Sequence, residues 1–345
     1  MSKQQVTIRD LAIKLDISIS TVSRALRGSS EINPDTKKAV LDLAEKLNYE
    51  PNQIAQSLRN SKTNIIGIIV PKISDYFFST VISSIQEEAQ KEGFTIMICQ
   101  SNEQFLLEVE NVKTMISCRV DGMILSVCRE TESIDHIVKM QNRNIPIVIF
   151  DREIDGLKAS KVLVNDYEGA LTAVSHLISS GYRRIAYLAG PKNMKISNSR
   201  KKGYLEALNN HNLPADKSLI IHCEKMEEEA KKQSLELLGS SNPPDAFFAF
   251  NDPMALEIYK GIYEMGLKIP QDIGLVGFTD SPIASLIRPS LTSVSQPAEE
   301  MGKIATKMLV QLIKNKGKNK PGNVLLKTEL IIRESTNKNN HQIQQ

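Results

Sequence analysis

Seven short apolar, β-rich runs recur from residue 64 onward, separated by helical stretches: IIGIIV, FTIMIC, GMILSV, IPIVIF, RIAYLAG, DAFFAF and IGLVGF. Such alternation dictates parallel sheets covered by helices, because parallel neighbours need a long crossover and both faces of the sheet must be buried. That many runs in a stretch this long suits two doubly wound lobes with a ligand cleft at the strand ends between them. The break between the lobes is expected near Val162 to Asp166. No repeat of solenoid period is present.

The 345 residues also leave room for a small domain ahead of this core. Thr7 and Asp10 form a capping-box variant, after which Ile8, Leu11, Ala12 and Leu15 fall on one face of a helix expected over Ile8 to Leu15. Asp16 and Ile17 break it, and Ser18 caps a second helix, Ile19 to Leu26, with Val22 and Leu26 inward. Asn33-Pro34 starts a third helix carrying Val40, Leu43, Ala44 and Leu47 and ending at Asn48. Three short helices around one small core make a helix-turn-helix layout. The net charge of +3 lies wholly here: the first 63 residues hold ten Lys/Arg against seven Asp/Glu, while the remainder balances at 33 each. An excess of positive charge at one end favours a phosphate backbone.

With Val22 and Leu26 buried, the second helix exposes Ile19, Ser20, Ser23, Arg24 and Arg27. Arg24 can donate two bonds to guanine, Ile19 can pack on a thymine methyl, and the serines can reach a base edge or phosphate. A merely solvated helix face is the alternative for any one of them. The segments TIRDLAIKLDISISTVSRALRG and NPDTKKAVLDLAEKLNYEPN resemble the headpiece of the LacI/GalR (lactose-repressor/galactose-repressor) family. The resemblance implies major-groove base contacts by Ile19, Ser20 and Arg24. Asp16 departs from it, standing where the family usually has a turn glycine, although Asp tolerates the left-handed conformation. Pro51 to Asn60 has a helix-compatible start but is too short to be stable alone. The resemblance implies a hinge helix that folds on the operator, with Leu58 wedged into the minor groove; an ordinary linker is the alternative. The candidate DNA-contacting set is Thr7, Ile19, Ser20, Thr21, Ser23, Arg24 and Arg27 in a headpiece over 1–50, and Asn52, Ala55, Leu58 and Arg59 in a hinge over 51–63.

The rest of the chain resembles the periplasmic-binding-protein-like core of the same family, on IGIIVP with DYFFS, VNDYEGA, RIAYLAGP with SRKKGY, AFNDPMALE, GLVGFTD and PSLTSVSQP. The resemblance implies an effector-binding and dimerising domain over 64–336, with an N-lobe of about 64–163 and 294–322 and a C-lobe of about 164–293 and 323–336. The cleft positions it implies are Phe77, Phe78, Asp151, Arg200, Asn251, Thr279 and Gln296. Carboxylate, guanidinium and amide groups beside aromatics suit a polyhydroxylated ligand, a sugar or sugar phosphate. Each has an alternative: core packing for the phenylalanines, pairing with a surface acid for Arg200, helix capping for Asn251. Thr279 departs from the aspartate common at its position, and Met194 and Ile196 lack the polar groups of purine-binding members. The resemblance further implies a homodimer on a near-palindromic operator, acting as a repressor in the cytoplasm in association with the nucleoid.

Other function classes find little support. The five histidines stand outside any HxxH, HExxH or CxxH pattern, and the four cysteines lack metal-type spacing and read as structural thiols. No GxxxxGK[ST], first-strand GxGxxG or GxSxG occurs, so neither an enzyme nor a cofactor is expected. A transport solute-binding protein would share the bilobal core but needs an export signal and no headpiece; the N-terminus has no signal-length apolar run and no stretch is long enough to span a membrane. After a helix through Ile304, Met308, Leu309 and Leu312, the basic run KNKGKNK reads as a solvated loop, VLLKTELIIRES as a final strand and 337–345 as a disordered tail.

Overall fold

Asp16, the residue that replaces the expected turn glycine, adopts the left-handed conformation at φ 53° and caps the first helix, so the turn forms without glycine. The structure, a computed structural model, describes residues 6–49, 62–315 and 321–338. Its contacts divide the chain into Met1–Thr63 and Asn64–Gln345. In the first unit, α1 (Ile8–Leu15), α2 (Ile19–Leu26) and α3 (Pro34–Lys46) begin on Thr7, Ser18 and Asn33, each side chain accepting from a backbone N–H of the first turn. Leu11, Ala12, Val22, Ala25, Val40 and Ala44 form the core, with Leu26 only partly buried at its edge. The expected hinge contacts Asn52, Ala55, Leu58 and Arg59 lie outside the described residues, as do 316–320 of the basic run and 339–345 of the tail.

The second unit holds two six-stranded sheets. The first takes β1 (Ile65–Val70), β2 (Thr95–Gln100), β3 (Gly122–Leu125), β4 (Ile147–Phe150) and β5 (Ser160–Val164), joined through α4 (Tyr76–Lys91), α5 (Phe105–Ser117) and α6 (Asp135–Gln141). The chain then crosses into α7 (Asp166–Ser179), β6 (Ile185–Ala189), α8 (Lys195–Asn210), β7 (Ile220–His222), α9 (Glu227–Leu238), β8 (Ala246–Ala249), α10 (Asp252–Glu264), β9 (Gly274–Thr279), α11 (Ile283–Leu286) and β10 (Thr292–Ser295). It returns through α12 (Ala298–Lys314) to β11 (Asn323–Leu326) and crosses once more to β12 (Glu329–Ile331). The strand orders are β11-β5-β4-β3-β1-β2 and β12-β10-β9-β8-β6-β7, parallel except for β10 with β12. Order reverses between β1 and β3 in one sheet and between β6 and β8 in the other, which places a crevice at the carboxyl ends of those strands.

The tail corrects one boundary. VLLKTELIIRES, expected as one final strand of the second lobe, divides: β11 pairs with β5 of the first sheet and β12 with β10 of the second. The first lobe therefore reclaims the chain from α12 through residue 326, and β10 belongs to the second sheet. Lys327 and Thr328 carry the chain between sheets, at the polar interruption of the apolar run.

Candidate functional site

On the headpiece, Ser18 Oγ accepts from the Thr21 backbone N–H at 3.1 Å and lies 2.8 Å from Thr21 Oγ1 and 2.7 Å from Ser20 Oγ. This cap fixes the start of α2 and leaves Ile19 nearly half exposed, with Ser20, Arg24 and Arg27 beside it on the open face. Ser23 is half-buried. Arg27 Nε donates to the Ser23 carbonyl at 3.0 Å, and Arg24 meets Glu31 at 3.1 Å, both side chains exposed. An exposed pair of this kind contributes little and is readily exchanged for another acceptor. Thr7 is occupied by its capping box, donating to Asp10 at 2.7 Å.

In the second unit all seven predicted cleft residues come together: Phe77, Phe78, Asp151, Arg200, Asn251, Thr279 and Gln296 line one narrow space of about 50 Å³. Asp151 follows β4 with φ 60°, and Thr279 and Asp280 end β9 at φ 123° and 58°. A β-branched residue at such a φ is strained, and strain of this kind is held where a site needs a particular direction. Phe77 and Phe78 do both jobs foreseen for them: they are almost wholly buried in the first-sheet core, and they also face the cleft. Asn251 caps α10 by accepting from the Met254 N–H at 3.0 Å, and Gln296 accepts from Thr279 Oγ1 at 3.2 Å. Each amide thereby keeps its NH2 group available to a ligand.

Arg200 is the most enclosed of the set, and it pairs with an acid that is buried. Its Nε and Nη2 donate to Asp166 at 2.8 and 2.7 Å, its Nη1 donates to the Phe250 carbonyl, and the guanidinium lies 3.5 Å from the centre of the Phe278 ring. The acid is buried at the start of α7 and not at the surface. Gly203 makes this possible, since a Cβ there would come within 2.2 Å of the Tyr167 carbonyl; the close approach of α8 to α7 brings Arg200 onto Asp166. Asp252 plays a similar supporting part, accepting from Ser281 N and Oγ and Ser293 Oγ at 2.6 to 3.0 Å, under the loop that carries Thr279.

Sequence reasoning also missed Arg152. It donates to Glu103 at 2.8 Å, stands 3.7 Å from Asp151, and lines both the narrow cleft and an adjoining cavity of about 510 Å³. Met194 and Ile196 line both spaces as well, so the two adjoin. Contacts bridge the lobes at this mouth: Lys195 to Asp155 at 2.5 Å, Asn193 to the Arg129 carbonyl at 2.8 Å, and Arg129 to the Glu224 carbonyl at 3.1 Å.

Burial raises the Asp151 carboxyl to about 7 and that of Asp252 to about 6, even with the hydrogen bonds that favour the latter's charged form. An acid whose folded pKa is raised contributes stability below its unfolded value that is lost as pH climbs through the folded one. His176, lowered by desolvation, works in the opposite sense below pH about 6.5, so the comparison must be between variants. Asp151→Asn is expected to gain on the parent chain between pH 5 and 8, by up to about 3 kcal/mol. Melting curves for the two that run parallel across this range would contradict the assignment.

The remaining candidates are structural. His136 donates to or accepts from buried Glu108 at 2.8 Å, His176 meets Thr336 and His222 the Gly190 carbonyl. Cys128 and Cys223 are buried and Cys99 half-buried, but Cys118 is exposed, which does not suit the structural role expected of it. Among the described residues no group of His, Cys, Asp and Glu is placed to hold a metal ion, and no helix is long and apolar enough to cross a membrane.

Comparison with known proteins agrees with these geometries. Residues 7–52 match the model of the bacterial regulatory proteins of the lacI family, and residues 174–336 match a periplasmic binding protein-like domain. The "Probable HTH-type transcriptional repressor ExuR" of Bacillus subtilis is 34% identical over 96% of this chain and 98% of its own length. The chain belongs to the LacI family. Its relatives include catabolite control protein A of Priestia megaterium, 32% identical over 89% of this chain and 92% of its own. A transcriptional regulator CelR in complex with cellobiose is 26% identical, with a TM-score of 0.73, covering 96% of this chain and all of that one. The lac repressor dimer bound to operator and an anti-inducer, 24% identical with a TM-score of 0.85, covers 96% of this chain and 99% of its own, and supports the fold. As a LacI-family member the chain is a DNA-binding transcriptional regulator and not an enzyme.

Proposed function

We propose that the chain acts as a homodimer whose two headpieces read a near-palindromic operator, with operator affinity set by a sugar-class effector bound between the lobes. The observation that carries the effector reading is the cleft's hydrogen-bonding pattern. Amide NH2 groups of Asn251 and Gln296 and the Asp151 carboxylate converge from both lobes on a space floored by Phe77, Phe78 and Phe250. Donors, an acceptor and apolar surface in that arrangement match a ring bearing several hydroxyls. The narrow cleft is too small for a ring by itself, whereas the adjoining cavity falls within the usual range of ligand pockets, roughly 300–1,000 Å³. A bound sugar would part or tighten the Lys195 and Asn193 contacts across the mouth and so alter the relation of the lobes. Relatives and neighbours lend support: one is named a ribose operon repressor, from Halalkalibacterium halodurans, and one is complexed with cellobiose.

On the DNA side, the open face of α2 supplies Ile19, Ser20, Ser23, Arg24 and Arg27 to the major groove, with Thr7 and Thr21 near the backbone. Asn52, Ala55, Leu58 and Arg59 supply the hinge. Replacing Leu58 with Ala is expected to weaken specific binding and reduce DNA bending, since the apolar wedge that opens a base step is shortened. A circular-permutation bending assay giving equal angles for the two proteins counts against the wedge. The reading as a whole is tested by titrating a labelled operator with full-length protein, with and without carbohydrates. A coupling of about 1–3 kcal/mol, a change of roughly 5- to 150-fold in operator affinity, is expected for the true effector. Operator affinity indifferent to every carbohydrate would refute the sugar reading.

A further inference from the structure

We infer that the effector is uncharged or carries an amine, and that the cleft discriminates against anionic sugars such as uronates and sugar phosphates. The inference rests on the carbohydrate reading above and narrows it by charge. Four charged side chains line the narrow cleft: Asp75, Asp151, Arg152 and Arg200. Both cations are already neutralised from behind, Arg200 by Asp166 at 2.7 Å and Arg152 by Glu103 at 2.8 Å. Asp75 lies at the start of α4, accepting from the Phe77 and Phe78 N–H groups at 2.9 and 3.4 Å, so that helix end is spent on the chain's own carboxylate. Asp151 has only the Arg152 Nε at 3.7 Å, and among the described residues its carboxylate accepts no hydrogen bond. The charges together leave an excess of acid around the space where a ligand must sit.

An anion entering here gains no free cation. To pair with it, Arg200 would have to abandon the buried Asp166 carboxylate and Arg152 the half-buried Glu103, and a carboxylate left alone in a low-dielectric interior is strongly unfavourable. Burial already resists ionisation of Asp151, which lies near 7, and a second negative charge would raise that resistance further. The outer cavity is acidic on balance: Glu132, Asp135, Glu153 and Asp155 line it against Arg129, Arg152 and Lys195, with Lys195 paired to Asp155 and Glu153 and Arg129 donating to the Glu224 carbonyl. A hydroxyl, by contrast, can donate to Asp151 and accept from Asn251 or Gln296 without any charge displacement, and an ammonium group would find Asp151 waiting.

The test is a matched panel on the full-length protein, read by thermal shift and then by calorimetric titration: neutral hexoses and disaccharides, their 2-amino forms, their 6-carboxylates and their 6-phosphates. A native-state ligand raises the melting temperature. The expected result is stabilisation by a neutral or amino sugar, with its matched uronate and phosphate at least tenfold weaker. At pH 8, where the Asp151 carboxyl is ionised, Asp151→Asn should narrow that gap, because one repelling charge is gone while the shape is kept. A uronate or phosphate that binds as tightly as its neutral parent, or a gap that Asp151→Asn leaves unchanged, overturns the charge inference and leaves the sugar reading standing. Silence across the whole panel overturns both.

Discussion

Arg200→Ala is expected to destabilise the effector domain by about 3–5 kcal/mol, because it strands the buried Asp166 carboxylate without a partner. In a domain of this size that corresponds to a fall in melting temperature on the order of 10 °C. Part of the cost is packing: the guanidinium lies against Phe278 and Phe250, and its removal leaves both rings facing a void. The orphaned charge is the larger share, and a second substitution separates the two. Replacing the pair with Arg200→Met and Asp166→Leu should recover much of the stability, since buried ion pairs exchange for apolar groups of like volume at little cost. Effector response should stay lost in both proteins, as neither retains the guanidinium in the cleft. Recovery of stability without the second substitution, or none with it, would show that the pair is not what holds α8 against α7.

Arg24→Ala should cost about 1–3 kcal/mol of discrimination at a single base pair of each half-site, with smaller losses elsewhere. The change should leave thermal stability nearly untouched, because the Arg24–Glu31 pair is exposed on both sides. Arg24→Lys keeps the charge but loses the planar fork, so it should flatten preference at the same base pair while holding more of the non-specific affinity. A binding-site scan in which both variants keep the parent's preference would remove Arg24 from the base-reading set and leave it a phosphate contact.

Local signals and tertiary pairing were legible to very different degrees. The boundaries of α1 and α2 follow from Thr7, Asp10, Asp16 and Ser18, side chains whose preference for helix ends is intrinsic, and the observed helices keep those limits. The seven apolar runs announced most of the central strands. Short strands such as β7 and β10, three and four residues long, carry too little periodicity to stand out. The seven cleft positions converge as expected, but what the sequence could not reveal is how they are balanced. Asp166 lies 34 positions from Arg200 and Glu103 lies 49 from Arg152, and nothing local marks either acid as a counter-ion. The electrostatic character of the cleft, and with it the discrimination against anions, emerges only when those distant partners meet.

Selection from a random duplex pool by the full-length protein at moderate ionic strength decides whether the Ile19-to-Arg27 surface reads DNA. One enriched near-palindromic sequence, lost from the pool when Arg24→Ala is used at the same salt, is the predicted outcome. A pool that emerges unenriched, with and without the carbohydrate panel, would contradict it.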